Sequence, residues 1–199
     1  MSQPDRLSVR ERTRRALRAE LVALAQDLFI TQGYDETTLD DITAAAGMSR
    51  RTFFRYFSSK EELVLSEYEL LGDALVAALA DRPGDEPIWV ALRRMLDVMV
   101  DYFEDPAHHD RAIAMEKVVQ QSPRLTAASL ERVTPVLDRL TDLVRERLGN
   151  HDDLDPQPAA LVGAASSCYT AAKTVWIASE QTRPFADLLD QAMAALTPV

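Results

Sequence analysis

The sequence predicts an all-α fold, on three observations. Apolar residues recur at helical spacing along most of the chain, breakers fall between those runs, and β-branched residues never alternate with polar ones over more than a few positions. With 199 residues, 47% apolar, 27% charged and 7% aromatic, the chain can bury a real core, which excludes disordered, collagen-like and disulfide-miniprotein classes. No internal repeat is visible, and the length suits a small module joined to a larger one.

Leu17, Leu21, Leu24, Ala25, Leu28 and Phe29 line one face of a first helix, which Gly33 stops. Thr38 then caps a short second helix with Leu39, Ile42 and Ala46 on one face, Asp41 as its capping-box partner and Gly47 at its end. Ser49 caps a third helix, Arg50 to Tyr56, with Phe53 and Phe57 pointing inward and Met48 packed in the turn. Ser59 and Glu62 form an S-x-x-E box that opens a longer helix through Leu79. The breaker-rich loop Arg82 to Pro87 follows.

The stripe from Ile88 to Phe103 is too wide for a half-exposed helix and predicts a central one, ended by Asp105-Pro106. A segment from Ala107 to Gln121 leads to Ser122-Pro123, an N-cap and N1 pair that opens a long helix to Leu148. Pro135 is expected to kink that helix and Gly149-Asn150 to close it. Asp155-Pro156 starts the next, where Lys173 is the only charge as far as Ser179 and Gly163 to Cys168 is a run of small residues. Phe185, Leu188, Leu189, Ala192, Met193 and Leu196 give the last helical period, for roughly nine helices in all.

The net charge of −10 argues against a polyanion partner for the chain as a whole, but it is unevenly spread. Residues 1–60 hold ten basic side chains (Arg6, Arg10, Arg12, Arg14, Arg15, Arg18, Arg50, Arg51, Arg55 and Lys60) against eight acidic ones, and the remainder carries −12. That split suits a nucleic-acid reader attached to an acidic body, although a merely solvated basic face has the same composition. The amino terminus has arginines with no apolar stretch behind them, and no run approaches membrane-spanning length, so a cytoplasmic protein without membrane association is expected. Cys168, the single cysteine, suits a reducing compartment and reads as a small buried residue.

Two short helices, the first ending in Ala45-Ala46-Gly47 and the second opening with Ser49 and bearing arginines, meet the requirements of a helix-turn-helix. The glycine takes the turn, the alanines let the helices pack closely, and a slim basic second helix can enter a major groove. The stretch Thr38 to Leu63, TLDDITAAAGMSRRTFFRYFSSKEEL, resembles the DNA-binding region of the TetR family of transcriptional regulators. The resemblance covers about the first 65 residues and departs from the family pattern at Thr43, where alanine is commoner, and Met48, where valine is usual.

The resemblance implies that Ser49, Thr52, Tyr56 and Lys60 contact phosphates, with Thr38 in the same DNA-binding set, while Arg50, Arg51 and Arg55 face base edges. Arg50 and Arg51 are the expected specificity residues, because an arginine fork can bond bidentately to guanine O6 and N7. Arg55, one turn on, reaches a base or a phosphate, and Phe54 packs either on the sugar-phosphate chain or in the core. Arg14 and Arg15, within an arm from Arg10 to Arg18, are expected to add salt-dependent affinity along the backbone or in the minor groove.

In TetR-like proteins the remaining helices form a ligand-binding and dimerisation domain, which places the boundary here at residues 1–62 and 63–199. Ala159 to Ala172 and Phe185 to Leu196 supply two helices for a four-helix bundle with a second copy, a homodimer. Trp89, Met95, Met99, Tyr102, Phe103, Met115, Tyr169 and Trp176 are large adaptable side chains that serve as core or line a pocket for a small hydrophobic effector. The wording SRRTFFRYF also resembles actinobacterial members that sense acyl-CoA-like molecules.

His108-His109-Asp110 lacks metal-ligand spacing and reads as a surface cluster, and His151-Asp152-Asp153 as a solvated loop. No cofactor is implied. The expected protein is a dimeric, ligand-responsive repressor reading double-stranded operator DNA with heads about 34 to 36 Å apart. The rivals are an effector-independent activator or architectural DNA binder, and a helical enzyme. The enzyme has no G-x-S-x-G, P-loop or H-E-x-x-H motif to support it.

Overall fold

Ser8 accepts a hydrogen bond from the Glu11 amide while the Glu11 carboxylate takes the Ser8 amide, so the first helix begins at Val9, eight residues before the apolar stripe becomes visible at Leu17. The arm from Arg10 to Arg18 is therefore part of the first helix, with Arg10, Arg12, Arg14 and Arg15 on its exposed first turns. The structure, a computed structural model, describes residues 8–149, 152 and 154–196. Arg6 of the basic arm, Asn150 at the expected helix end, and His151 and Asp153 lie outside the described residues.

Among the described residues ten helices follow one another and there is no strand. They are α1 (Val9–Gln32), α2 (Leu39–Ala45), α3 (Arg50–Phe53), α4 (Lys60–Ala80), α5 (Ile88–Met95), α6 (Asp97–Glu104), α7 (His109–Gln121), α8 (Pro123–Arg147), α9 (Gln157–Ala178) and α10 (Phe185–Ala195). The count exceeds the expected nine because the helix predicted from Ile88 to Phe103 is interrupted at Leu96. There ψ is −5°, while hydrogen bonds from Leu96 to Leu92 and from Val100 to Leu96 carry the chain across the break. As predicted, Ser122 caps α8, its hydroxyl accepting from the Leu125 amide at 3.4 Å, and Pro135 lies inside that helix.

The chain forms two compact units, one running through Ser66 together with Ala114–Thr126, the other comprising Glu67–Ile113 and the chain from Ala127 onward. In the first, Leu21, Ala25 and Phe29 of α1 are buried with Ile42 of α2, Phe53, Phe57 and Leu63. Each of the leucine, isoleucine and phenylalanine side chains contributes about 1.5 to 3 kcal/mol by leaving water. Gly47 makes the turn between α2 and α3 at φ +61°, a left-handed conformation that a side chain would strain.

The second unit is built on Leu79, Leu92, Val144, Leu161, Trp176, Phe185 and Leu189. Trp176 and Phe185 lie 5.4 Å apart between ring centroids, with Phe103 at 5.5 and 5.7 Å from them. Cys168 is buried, its thiol directed at the Ala192 carbonyl at 3.4 Å, and burial pushes its pKa up. No described helix is long and apolar enough to cross a membrane.

Candidate nucleic-acid interface

Thr38 begins α2 with a full capping box: its hydroxyl accepts from the Asp41 amide at 3.2 Å, and its own amide donates to the Asp41 carboxylate at 2.8 Å. Ser49 caps α3 with its hydroxyl alone, accepting from the Thr52 amide at 3.1 Å, with the two hydroxyls 3.0 Å apart. These caps fix where each helix starts, and the Gly47 turn fixes how one follows the other. The third helix ends at Phe53 rather than at the expected Tyr56; with Phe53 and Phe57 turned into the core, Arg50 and Arg51 on α3 and Arg55 in the turn that follows it face solvent.

The three arginines are not equivalent. Arg50 donates from Nε and Nη2 to the two carboxylate oxygens of Asp40 at 2.5 and 2.6 Å. The hydrogen bonds from Arg50 hold the Asp40 carboxyl below its ordinary pKa. Arg51 has no hydrogen-bonding or ionic partner among the described residues. Arg55 lies over the Tyr56 ring at 5.5 Å and donates to its hydroxyl at 3.3 Å. Phe54 caps the end of α3 with 54% of its surface exposed and one edge against Phe53, so it lies at the surface beside the arginines. Arg14 and Arg15 are exposed on α1.

Two basic residues are committed inside the unit. The Lys60 ammonium donates to the carbonyls of Tyr34 and Thr37 at 2.6 and 2.9 Å and sits 4.0 Å from the centre of the Tyr34 ring. Burial there lowers its pKa. Arg18 donates to the Tyr56 carbonyl and, at 3.1 Å, to Glu62, while its guanidinium covers the Phe57 ring at 4.3 Å. Where the resemblance implied a phosphate contact for Lys60 and arm duty for Arg18, both charges here tie the start of α4 and the turn after α3 to earlier parts of the chain. Among the described residues as far as Lys60, Arg10, Arg12, Arg14, Arg15, Arg50, Arg51 and Arg55 are the cations exposed to a polyanion.

The Ser59 and Glu62 box is only half formed. The Glu62 amide donates to Ser59 at 3.3 Å, but its carboxylate goes to the Ser58 amide and hydroxyl at 2.6 and 2.8 Å. Asp40 and Arg124 were missed at the sequence level. The first is recognisable only through its bond to Arg50, and the second pairs with Glu61 at 2.5 Å within the same unit.

Seven of the eight residues expected to line a pocket lie in the second unit. Met95, Met99, Phe103 and Trp176 are core side chains of the second unit, with Tyr102, Tyr169 and Trp89 packed half-buried against them. Met115 falls in the first unit. Tyr102 donates to Glu67 at 2.7 Å, and Trp89 donates from its indole nitrogen to the Met193 carbonyl at 3.3 Å. Trp89 also lines a shallow cleft of about 270 Å³ with Val90, Arg93, Arg94, Asp190 and Met193. His108 is the surface residue expected, paired with Asp105 at 2.8 Å. His109 instead turns inward, its Nδ1 2.6 Å from the Phe103 carbonyl and its ring edge-on to Trp176.

A capped, glycine-turned pair of short helices with an arginine-bearing outer face defines a helix-turn-helix regulator. Residues 21–66 match the family described as bacterial regulatory proteins, tetR family, and residues 86–199 match the MftR C-terminal domain. The chain belongs to the TetR family of transcriptional regulators, and is not an enzyme. It is 32% identical over 179 residues to the HTH-type transcriptional regulator TcmR of Streptomyces glaucescens, covering 88% of this chain and 79% of that one. It is 26% identical over 149 residues to the HTH-type transcriptional activator FasR of Mycolicibacterium smegmatis, covering 73% and 64%. The fold matches that of Thermus thermophilus FadR, a TetR-family transcriptional repressor solved with lauroyl-CoA, at a TM-score of 0.62 and 23% identity over 92% of this chain and 95% of that one.

Proposed function

We propose that this regulator is a cytoplasmic repressor that holds a pseudo-palindromic operator as a homodimer and releases it when a small hydrophobic effector binds. DNA reading is assigned to residues 1–62, effector binding and dimerisation to 63–199. The observation that carries the reading is the outward row of Arg50 and Arg51 on α3 and Arg55 just after it, in a chain whose net charge is −10. Such a row reads base edges, while Ser49, Thr52, Tyr56, Arg14 and Arg15 hold the backbone. Phe54 packs on the sugar-phosphate chain.

Support for a dimer comes from α9, whose outer side exposes Ala160, Gly163, Ser167, Thr170, Ala171 and Thr174 without a charge, so a second copy can approach closely. The effector is assigned to an acyl-CoA-like class, in line with the lauroyl-CoA held by the Thermus relative of the same fold. Release requires only that the effector bind the operator-free conformation more tightly than the operator-bound one.

The test is operator binding by the full chain, measured with and without lauroyl-CoA, alongside sedimentation of the free protein. A dimer whose operator affinity falls on adding the acyl-CoA supports the reading; an effector that binds yet leaves that affinity unchanged removes it. A second reading, an effector-independent activator, is favoured by the packing of Met95, Met99, Phe103 and Trp176 into the core. It predicts no metabolite dependence of the salt slope.

A further inference from the structure

We propose that Asp40 is a specificity-determining positioning residue: it clamps Arg50 by one edge of the guanidinium so that the other edge faces a guanine of the operator. The proposal rests on the DNA-reading role of α3. Asp40 lies in the first turn of α2 and Arg50 opens α3, so the clamp spans the helix-turn-helix from one helix to the other.

A guanidinium offers five N–H donors in a rigid plane. The two bonds to Asp40, at 2.5 and 2.6 Å, use Nε–H and one Nη2–H, which form one side of the fork. Both Nη1 hydrogens and the second Nη2 hydrogen stay unused by this pair. The Nη1 and Nη2 edge so left is able to make two parallel bonds to guanine O6 and N7. Clamp and base contact therefore do not compete, and one planar group serves both.

Holding the arginine beforehand removes freedom that it would otherwise lose on meeting the base, and it fixes the plane in which the base must lie. The adjacent carboxylate also offsets the arginine's charge, so the pair adds little to sequence-independent phosphate attraction. Arg50 is thereby made a selective rather than an adhesive contact. Because the Arg50 and Asp40 side chains are 61% and 67% exposed, the pair contributes little to folding, and its removal leaves the unit intact.

The experiment is selection from a random duplex pool with the full-length protein, giving the base preference at every operator position. The variants are Asp40→Ala, Asp40→Asn, Arg50→Ala, the double variant Arg50→Ala/Asp40→Ala, and Asp35→Asn, which removes one negative charge elsewhere in the unit. Circular dichroism melting accompanies each.

Both Asp40 variants are expected to lose guanine preference at one position in each half-site, by about fivefold or more, with the other positions unchanged. Arg50→Ala erases the same preference, adding Asp40→Ala to it changes nothing further, and Asp35→Asn keeps the original profile. If the Asp40 variants bind all duplexes more tightly with preferences intact, the carboxylate only repels DNA or sequesters Arg50, and the proposal is overturned. An Arg50→Ala profile identical to the unsubstituted one overturns the base-reading role of Arg50 itself, and the Asp40 proposal with it.

Discussion

Replacing Lys60 by methionine separates two roles for a residue that sequence resemblance and structure treat differently. Methionine keeps an apolar stem but loses the donors to the Tyr34 and Thr37 carbonyls at 2.6 and 2.9 Å and the cation over the Tyr34 ring at 4.0 Å. A hydrogen bond from a charged group contributes about 1.5 to 3 kcal/mol. Two such bonds at a half-buried site, discounted for the water that still reaches the ammonium and for the cost of burying it, leave a net loss of about 2 to 3 kcal/mol. For a chain of 199 residues this lowers the midpoint of thermal unfolding by roughly 5 to 10 °C.

The assay pairs that melt with operator affinity measured across a salt series, well below the lowered midpoint. The structural role predicts an earlier melt and an unchanged slope of log affinity against log salt. A phosphate contact predicts the reverse: an unshifted melt and a slope shallower by about 0.9 for each lysine removed. The second result would refute the assignment of Lys60 to the turn between α1 and α2.

Three further outcomes follow from other contacts. Gly72→Ala places a Cβ 2.5 Å from Val136 Cγ2, so despite alanine's better helix propensity it is expected to destabilise the second unit by about 1 to 2 kcal/mol in denaturant melts, and Val136→Ala is expected to restore it. Glu62 titrates below its ordinary 4.5 because the burial that raises its pKa is outweighed by hydrogen bonds from Ser58 and Arg18. Its stabilisation is fully present above that ordinary value and lost as pH falls through the lower folded one, so Glu62→Gln should flatten the acid limb of a stability–pH profile. Phe54→Ala should leave the melting temperature within about 2 °C, because 54% of the side chain is already exposed, while weakening DNA binding; a large loss of stability would instead make Phe54 core.

The helix-turn-helix was legible because its signals are local. Two caps, a glycine and the inward phenylalanines fall within the twenty residues from Thr38 to Phe57, and their spacing alone specifies the turn. The S-x-x-E signature at Ser8 and Glu11 was equally local, and it marks a helix start that the apolar period, beginning later, hides. Arg18 and Lys60 were opaque because their partners lie 38 and 26 residues away, and an inward cation has the same sequence as an outward one. The break at Leu96 leaves no trace in a stripe that stays apolar on both sides of it. Nor does periodicity reveal that Ala114–Thr126 joins the first unit, since a helix carries the same pattern whichever core it faces.

Capture of genomic fragments by the full chain, compared between the unsubstituted protein and the Arg50→Ala/Arg51→Ala variant, tests most directly whether α3 reads sequence. The account predicts that the variant keeps its fold, with any residual binding salt-dependent and spread evenly over all fragments. Enrichment of the same promoter fragments by both proteins would contradict it.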